Sequence, residues 1–149
     1  MITLKRTNSD DIDFKNLVVL LDQDLKIRDG EDHAFYNQFN KTDAIKHVIV
    51  FYENDIAVGC GAFREKKEDT VEIKRMFVHP DYRKKGIASS VLAALEIWAK
   101  EVGYKNTILE TGKNQPEAIH LYQKQHYHIT PNYPPYETMD NSVCMKNTL

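Results

Sequence analysis

Apolar residues recur along this chain with two periods, and the alternation between the periods lays out its elements. Ile2 to Thr7 alternates apolar with polar positions, as a half-buried strand does. From Asp10 to about Leu25, Phe14, Leu17, Val18 and Leu21 share one helical face, and Ser9 stands where it can cap that helix. Arg28-Asp29-Gly30 breaks it, and a second, shorter helix is predicted over about Glu31 to Phe39. His47 to Glu53 and Ile56 to Arg64 read as an antiparallel pair of strands joined by a tight Asn54-Asp55 turn. Thr70 to His79 is the next strand, ended by Pro80. A longer helix, Ile87 to Val102, puts Ile87, Val91, Leu95, Trp98 and Val102 on one side and stops at Gly103. Asn106 to Thr111 is a strand, and Pro116 opens a helix that reaches about Gln125. Tyr127 to Thr130 and Ser142 to Lys146 are the last strands, on either side of a Pro- and Tyr-rich loop, Pro131 to Tyr136.

Strands and helices interleaved over 149 residues, with no repeat, low-complexity tract or linker, predict one α/β (α+β) domain spanning residues 1–149. A formal net charge of −2 excludes a nucleic-acid binder that relies on bulk charge. Charge is unevenly spread, however. Residues 1–45 hold nine acids and six bases, whereas residues 64–85 hold eight bases and five acids. An acidic front and a basic middle suit a cationic substrate and an anionic cofactor, although solvated surface accounts for the acidic part equally well. Cys60 and Cys144 lie far apart in apolar strand contexts and read as buried free thiols. No N-terminal stretch resembles a signal peptide, and no apolar run approaches the ~20 residues that span a bilayer. The expectation is a cytoplasmic protein with no membrane or nucleic-acid partner.

One segment carries most of the chemistry: Arg83-Lys84-Lys85-Gly86-Ile87-Ala88, between a strand and a helix start. The first N–H groups of a helix have no intrahelical partner, and the helix dipole adds partial positive charge there. Gly86 admits a close approach of backbone to ligand, Ala88 keeps the first turn slim, and three cations surround the spot. This is a pyrophosphate cradle of an uncommon kind. The chain has no G-x-x-x-x-G-K-[ST], and its one G-x-G, at Gly59 and Gly61, lacks the third glycine and sits inside a strand.

The segment resembles the signature of the GNAT superfamily, the GCN5-related N-acetyltransferases, Arg/Gln-x-x-Gly-x-Gly/Ala after a strand. Glu72-Ile73-Lys74-Arg75-Met76-Phe77-Val78 resembles that family's fourth strand, and Ile108-Leu109-Glu110-Thr111-Gly112 its fifth. Asn114-Gln115-Pro116-Glu117-Ala118-Ile119-His120-Leu121-Tyr122 resembles its asparagine, helix and tyrosine. Together the four pieces cover residues 57–130 in the right order and spacing. The resemblance implies a mixed sheet of about seven strands with splayed, parallel fourth and fifth strands and about four flanking helices. It implies acetyl-CoA as co-substrate, without a metal, and transfer to a primary amine by direct attack. Carried over, the backbone of Met76, Phe77 and Val78 would bond the pantetheine arm. Arg83, Lys84, Lys85, Gly86, Ile87 and Ala88 would hold the pyrophosphate, and Asn114 would contact the pantetheine from the other side.

Transfer from a thioester to an amine needs an unprotonated nucleophile, a donor for the oxyanion and a proton for the leaving thiolate. Tyr122 is the expected acid, since a phenol of pKa about 10 can protonate a thiolate of pKa about 8.5 when the site orients them. Its other reading is packing beneath its helix. The family carries Gly-Phe four residues later where this chain has His126-Tyr127, which puts the local turn in doubt. Glu72 is the expected base, acting through water; its other reading is a cross-strand ion pair with a lysine or arginine. A main-chain N–H near Phe77-Val78 would hold the oxyanion.

Asp22, Asp24, Asp29, Glu31 and Asp32 fall where the family's first helices wall the acceptor site, and Tyr133-Pro134-Pro135-Tyr136 is the expected second wall. The six histidines show no metal-ligand spacing. The expected partner is a small cationic amine, and a homodimer is left open. The competing functions are acetylation of protein lysines or N-termini, and a sensor that binds acetyl-CoA without turnover.

Overall fold

The computed structural model describes residues 1–39 and 44–149. Among the described residues seven strands form one sheet: β1 (Ile2–Thr7), β2 (His47–Glu53), β3 (Ile56–Lys67), β4 (Thr70–Val78), β5 (Asn106–Gly112), β6 (His128–Thr130) and β7 (Ser142–Thr148). Their spatial order is β1-β2-β3-β4-β5-β7-β6. Every pairing is antiparallel except β4 with β5. Four α-helices among the described residues flank the sheet: α1 (Ile12–Asp29), the five-residue α2 (His33–Asn37), α3 (Ile87–Glu101) and α4 (Pro116–Lys124).

Both faces of the central strands are covered, so their period-2 alternation sorts residues between two cores. On β2, Val48 and Val50 pack with Phe14, Leu17 and Leu21 of α1. Ile49 and Phe51 point the other way, to Val91, Leu92 and Leu95 of α3. Cys60 and Cys144 are buried free thiols.

Gly59 and Gly61 owe their place in β3 to α3. A Cβ at Gly61 would stand 2.5 Å from Met76 Sδ of β4 and 2.9 Å from both Leu95 Cδ1 and Val91 Cγ1 of α3, and one at Gly59 would stand 2.8 Å from Ile87 Cγ2. The missing side chains let the helix lie close on the sheet. Gly61→Ala therefore overpacks this contact, and an expected loss of about 1–3 kcal/mol in stability is measurable by chemical denaturation.

The first helix differs from expectation at both ends, for identifiable reasons. Ser9 does not cap it: its hydroxyl accepts from Ile45 N–H at 3.1 Å, and its own N–H donates to Ile45 O at 2.9 Å. Asp11 is the cap, accepting from Phe14 N–H at 3.0 Å. At the far end α1 runs past Leu25 to Asp29, where Gly30 (φ 54°) ends it. This added turn carries Arg28 and Asp29 to the site described below. The predicted second helix is a 3-10 turn, Gly30–Asp32, followed by α2.

Candidate active site

β4 and β5 stay paired for three residues only: Thr70 with Asn106, Val71 with Thr107, Glu72 with Ile108. Beyond them the strands part. A bulge in β4 falls at the same place. Between the pairs Cys60–Phe77 and Ala62–Lys74, one β3 residue, Gly61, faces two β4 residues, Arg75 and Met76. Arg75 takes a left-handed backbone (φ 58°) that a residue with a Cβ rarely adopts. Its buried guanidinium pairs with Asp22 of α1, and its carbonyl accepts from the Cys60 thiol at 3.4 Å.

The parting leaves one edge of Met76 to Val78 free to pair with a ligand, as an added strand would. A turn and helix close the end of this edge. The His79 ring accepts from Asp81 N–H at 3.2 Å, and Pro80–Tyr82 forms a 3-10 turn. Lys84 (φ 64°) and Gly86 (φ 78°) are both left-handed, which turns successive N–H groups to one side as a concave anion seat. Arg83 Nε donates to Val78 O at 2.9 Å, and its cation lies 5.6 Å from the centre of the Phe77 ring.

Two cavities meet here. The larger, about 540 Å³, is a cleft lined by Met76, Phe77, Val78, Arg83, Lys84, Gly86, Ile87 and Ala88 on one side and by α4 on the other. The smaller, about 120 Å³, fills the gap between the parted strands, with Lys74 on β4, Glu110 on β5, Asp29 on α1 and Tyr36 on α2. Leu21, Met76, Gln115, Ala118 and Tyr122 line both. Tyr122 thus stands at the junction. Burial, with the nearby Glu110 charge, raises its pKa and keeps the phenol protonated.

The helix end that positions Tyr122 forms despite the loss of glycine. His126 adopts φ 74°. Its N–H bonds Gln123 O at 3.2 Å and the Tyr127 N–H bonds Tyr122 O at 3.0 Å, the two bonds of a Schellman cap. Tyr127, in place of phenylalanine, finds a partner for its hydroxyl in Thr107 at 2.6 Å and Glu96 at 3.0 Å.

The remaining sequence candidates lie elsewhere. Lys85 turns toward Glu53, 3.8 Å away, and over the Tyr82 ring, and does not line the cleft. Asn114 also stands off the lining: its Nδ2 donates to Arg28 O at 3.1 Å, while Arg28 pairs with Glu117. Glu72 makes the cross-strand ion pair of its second reading. It is 1% exposed, paired across the strand with Arg64 at 3.4 Å, and accepts from the Tyr133 hydroxyl at 2.7 Å.

Of the five acids expected at the acceptor wall, Asp29 alone lines the smaller cavity, while Asp22 and Asp24 pair with Arg75 and Arg28. The Tyr-Pro loop acts one layer back: Tyr136, buried, stacks on Tyr36 with ring centres 6.2 Å apart.

Glu110 and Lys74 had no role assigned from sequence. Burial pushes the Glu110 carboxyl up to about 7, against the pull of Ser142 and Lys74. Burial lowers the Lys74 pKa, against the pull of Glu72 and Glu110. Asp29 is raised by burial as well. Carboxylates and a lysine on strands that are otherwise buried were the available signal.

Fold and site together define an acyltransferase. The chain belongs to the acetyltransferase (GNAT) family, whose model matches residues 15–127. It is 34% identical over 102 residues to the IAA acetyltransferase of Azospirillum brasilense, covering 68% of this chain and 67% of that one. Matched segments span from 28% to 77% of the curated relatives' own lengths. Among solved structures, a Klebsiella pneumoniae protein provisionally named an acyl-CoA N-acyltransferase superimposes with a TM-score of 0.82 at 27% identity, over 100% of this chain and 98% of that one. A GNAT acetyltransferase from Elizabethkingia anophelis, solved with acetyl-CoA bound, has a TM-score of 0.70 at 20% identity, over 99% and 98% of the two chains.

Proposed function

We propose that the protein transfers the acetyl group of acetyl-CoA to a primary amine on a small cationic molecule, by direct attack in a ternary complex. The observation that carries this reading is the meeting of the two cavities at Met76 and Tyr122. Acetyl-CoA, as co-substrate, would lie along Met76–Val78 with its pyrophosphate on the Arg83–Ala88 turn. The amine would come from the smaller cavity. A drug-sized ligand fills roughly 300–1,000 Å³, so a space of about 120 Å³ admits an amine on a slim arm and little more.

Asp29 and Glu110 supply negative charge for an ammonium group. Glu110, rather than the ion-paired Glu72, is the proton acceptor in this reading, because a carboxyl of pKa about 7 is half ionised at neutral pH and lines the amine's cavity. Main-chain N–H groups beyond the bulge would hold the oxyanion, and Tyr122 would protonate the thiolate. Incubation with acetyl-CoA and a panel of amines, read as thiol release, tests the reading. Turnover with slim cationic amines supports it; turnover confined to peptides would favour protein acetylation.

Glu110→Gln separates function from stability. The native carboxyl has a pKa above its ordinary 4.5, so the native state favours the protonated form; stability falls as pH rises from about 4.5, where the unfolded chain ionises, and the loss is complete once pH passes about 7. The variant should gain roughly 1–3 kcal/mol over wild type at pH 8 and nothing near pH 4, while losing most turnover. Denaturation at the two pH values, beside the rate, checks both halves.

A further inference from the structure

An amine already stands in the acceptor cavity. Lys74 is 8% exposed and lines the cavity with Glu110, Met76 and Tyr122. Met76 and Tyr122 also line the cofactor cleft, so the wall that bears this lysine adjoins the place where a thioester would end. Its neighbour Arg75 is held by Asp22. The charges of Glu72 and Glu110 favour the Lys74 ammonium, but burial outweighs them, so more of the free amine is present than on an exposed lysine.

We propose that Lys74 is a self-acetylation site: with acetyl-CoA in the cleft and no acceptor in the cavity, Lys74 Nζ takes the acetyl group. The inference rests on the acetyl-CoA reading above. The unprotonated Nζ attacks the thioester carbonyl carbon; a C–N bond forms and the C–S bond breaks. One proton passes from the nitrogen to the Glu110 carboxylate, and the coenzyme A thiolate takes a proton from the Tyr122 hydroxyl. Both groups then return to their starting states by exchange with water, and no further reagent is consumed. Acetyl-lysine is neutral and bulkier than lysine. In a cavity of about 120 Å³ it occupies space that the acceptor's amine needs. The modified protein is arrested, so a shortage of acceptor switches the activity off.

The test incubates the purified chain with acetyl-CoA and no amine. Acetylated lysines are mapped by peptide mass spectrometry, and thiol release with the best acceptor is followed on the same samples. The expected result is up to one acetyl group per chain at Lys74, with turnover declining in step and the acceptor protecting. Tyr122→Phe should modify itself about 10²-fold more slowly. Lys74→Arg should keep through preincubation whatever turnover it starts with; if it does not fold, the wild-type time course decides alone.

An unmodified Lys74 in protein that acetylates an added amine overturns the inference and leaves the functional reading standing. Acetylation of Lys74 at an equal rate in Tyr122→Phe or in heat-unfolded chain overturns it too, as chemistry the site does not direct. A folded chain that binds no acetyl-CoA overturns both.

Discussion

Tyr122→Phe lowers kcat by about 10²–10⁴-fold, the usual consequence of losing a general acid, and leaves acetyl-CoA affinity nearly intact. In the proposed reaction the hydroxyl would act on the departing thiolate, so its absence would be felt in the transition state and not in the ground state. The ring stays, and with it the contact to Tyr127, whose ring centre lies 5.8 Å away. Stability should therefore be close to wild type. Steady-state kinetics with the best acceptor, plus calorimetric titration of the variant with acetyl-CoA, check both parts. Wild-type turnover, with chemistry shown to limit the rate, would return Tyr122 to a packing role. The Schellman cap at His126 makes the prediction firm: the helix end keeps its bonds without the family's glycine, so the phenol is not displaced from the junction.

Gly86→Val has the second large effect, on binding. Gly86 is the residue before α3 and holds φ 78°, a conformation that costs a residue with a Cβ roughly 1–2 kcal/mol. A Cβ there meets no protein atom within 4 Å, so the protein itself does not crowd it. In the proposed reading that open space is where the phosphates would sit. Valine would both tilt the N–H groups and project methyls toward the phosphates. The expected loss in acetyl-CoA affinity is roughly 10²-fold, about one or two charge-assisted hydrogen bonds. Gly86→Ala should fall between the two and serves where valine unfolds the chain. Calorimetry on the folded variants decides; an unchanged Kd would mean the phosphates sit elsewhere.

The sequence was most legible where geometry is local. The Pro80 stop, the Asn54-Asp55 turn, the start of α3 after Gly86 and Pro116 at the first turn of α4 all follow from backbone preference, and the structure has them in place. The Arg83–Ala88 turn follows from the same rules, whereas Tyr122 was named through the resemblance of its segment to the family's helix and tyrosine.

What the sequence hid depends on contacts between distant segments. Ser9 and Asp11 are both good caps, and the choice between them was made by Ile45, more than thirty residues away. The last β4–β5 pair falls at Glu72, and the β4 bulge follows Lys74, so Glu72 sits where the two strands are still joined. There it joins Arg64 and Tyr133, while Lys74 and Met76, beyond the last pair, line the cavity. Glu110 lay in plain view within the fifth strand, but its role depends on β5 leaving β4, which no periodicity reports. Lys85 was drawn by its charge beside the turn and Asn114 by the resemblance, and their side chains contact Glu53 and Arg28.

The central claim is that acetyl-CoA occupies the cleft between β4 and α4, and titration of the folded chain with acetyl-CoA tests it most directly. One equivalent should bind. A ligand that binds only the native state stabilises it by about 2.7 kcal/mol at a hundredfold excess over Kd, which for a chain of this size raises the melting temperature by roughly 5–10 °C. Binding heat at one site, with that shift, is the predicted result. Neither heat nor shift at millimolar acetyl-CoA, in a well-folded sample, would contradict it.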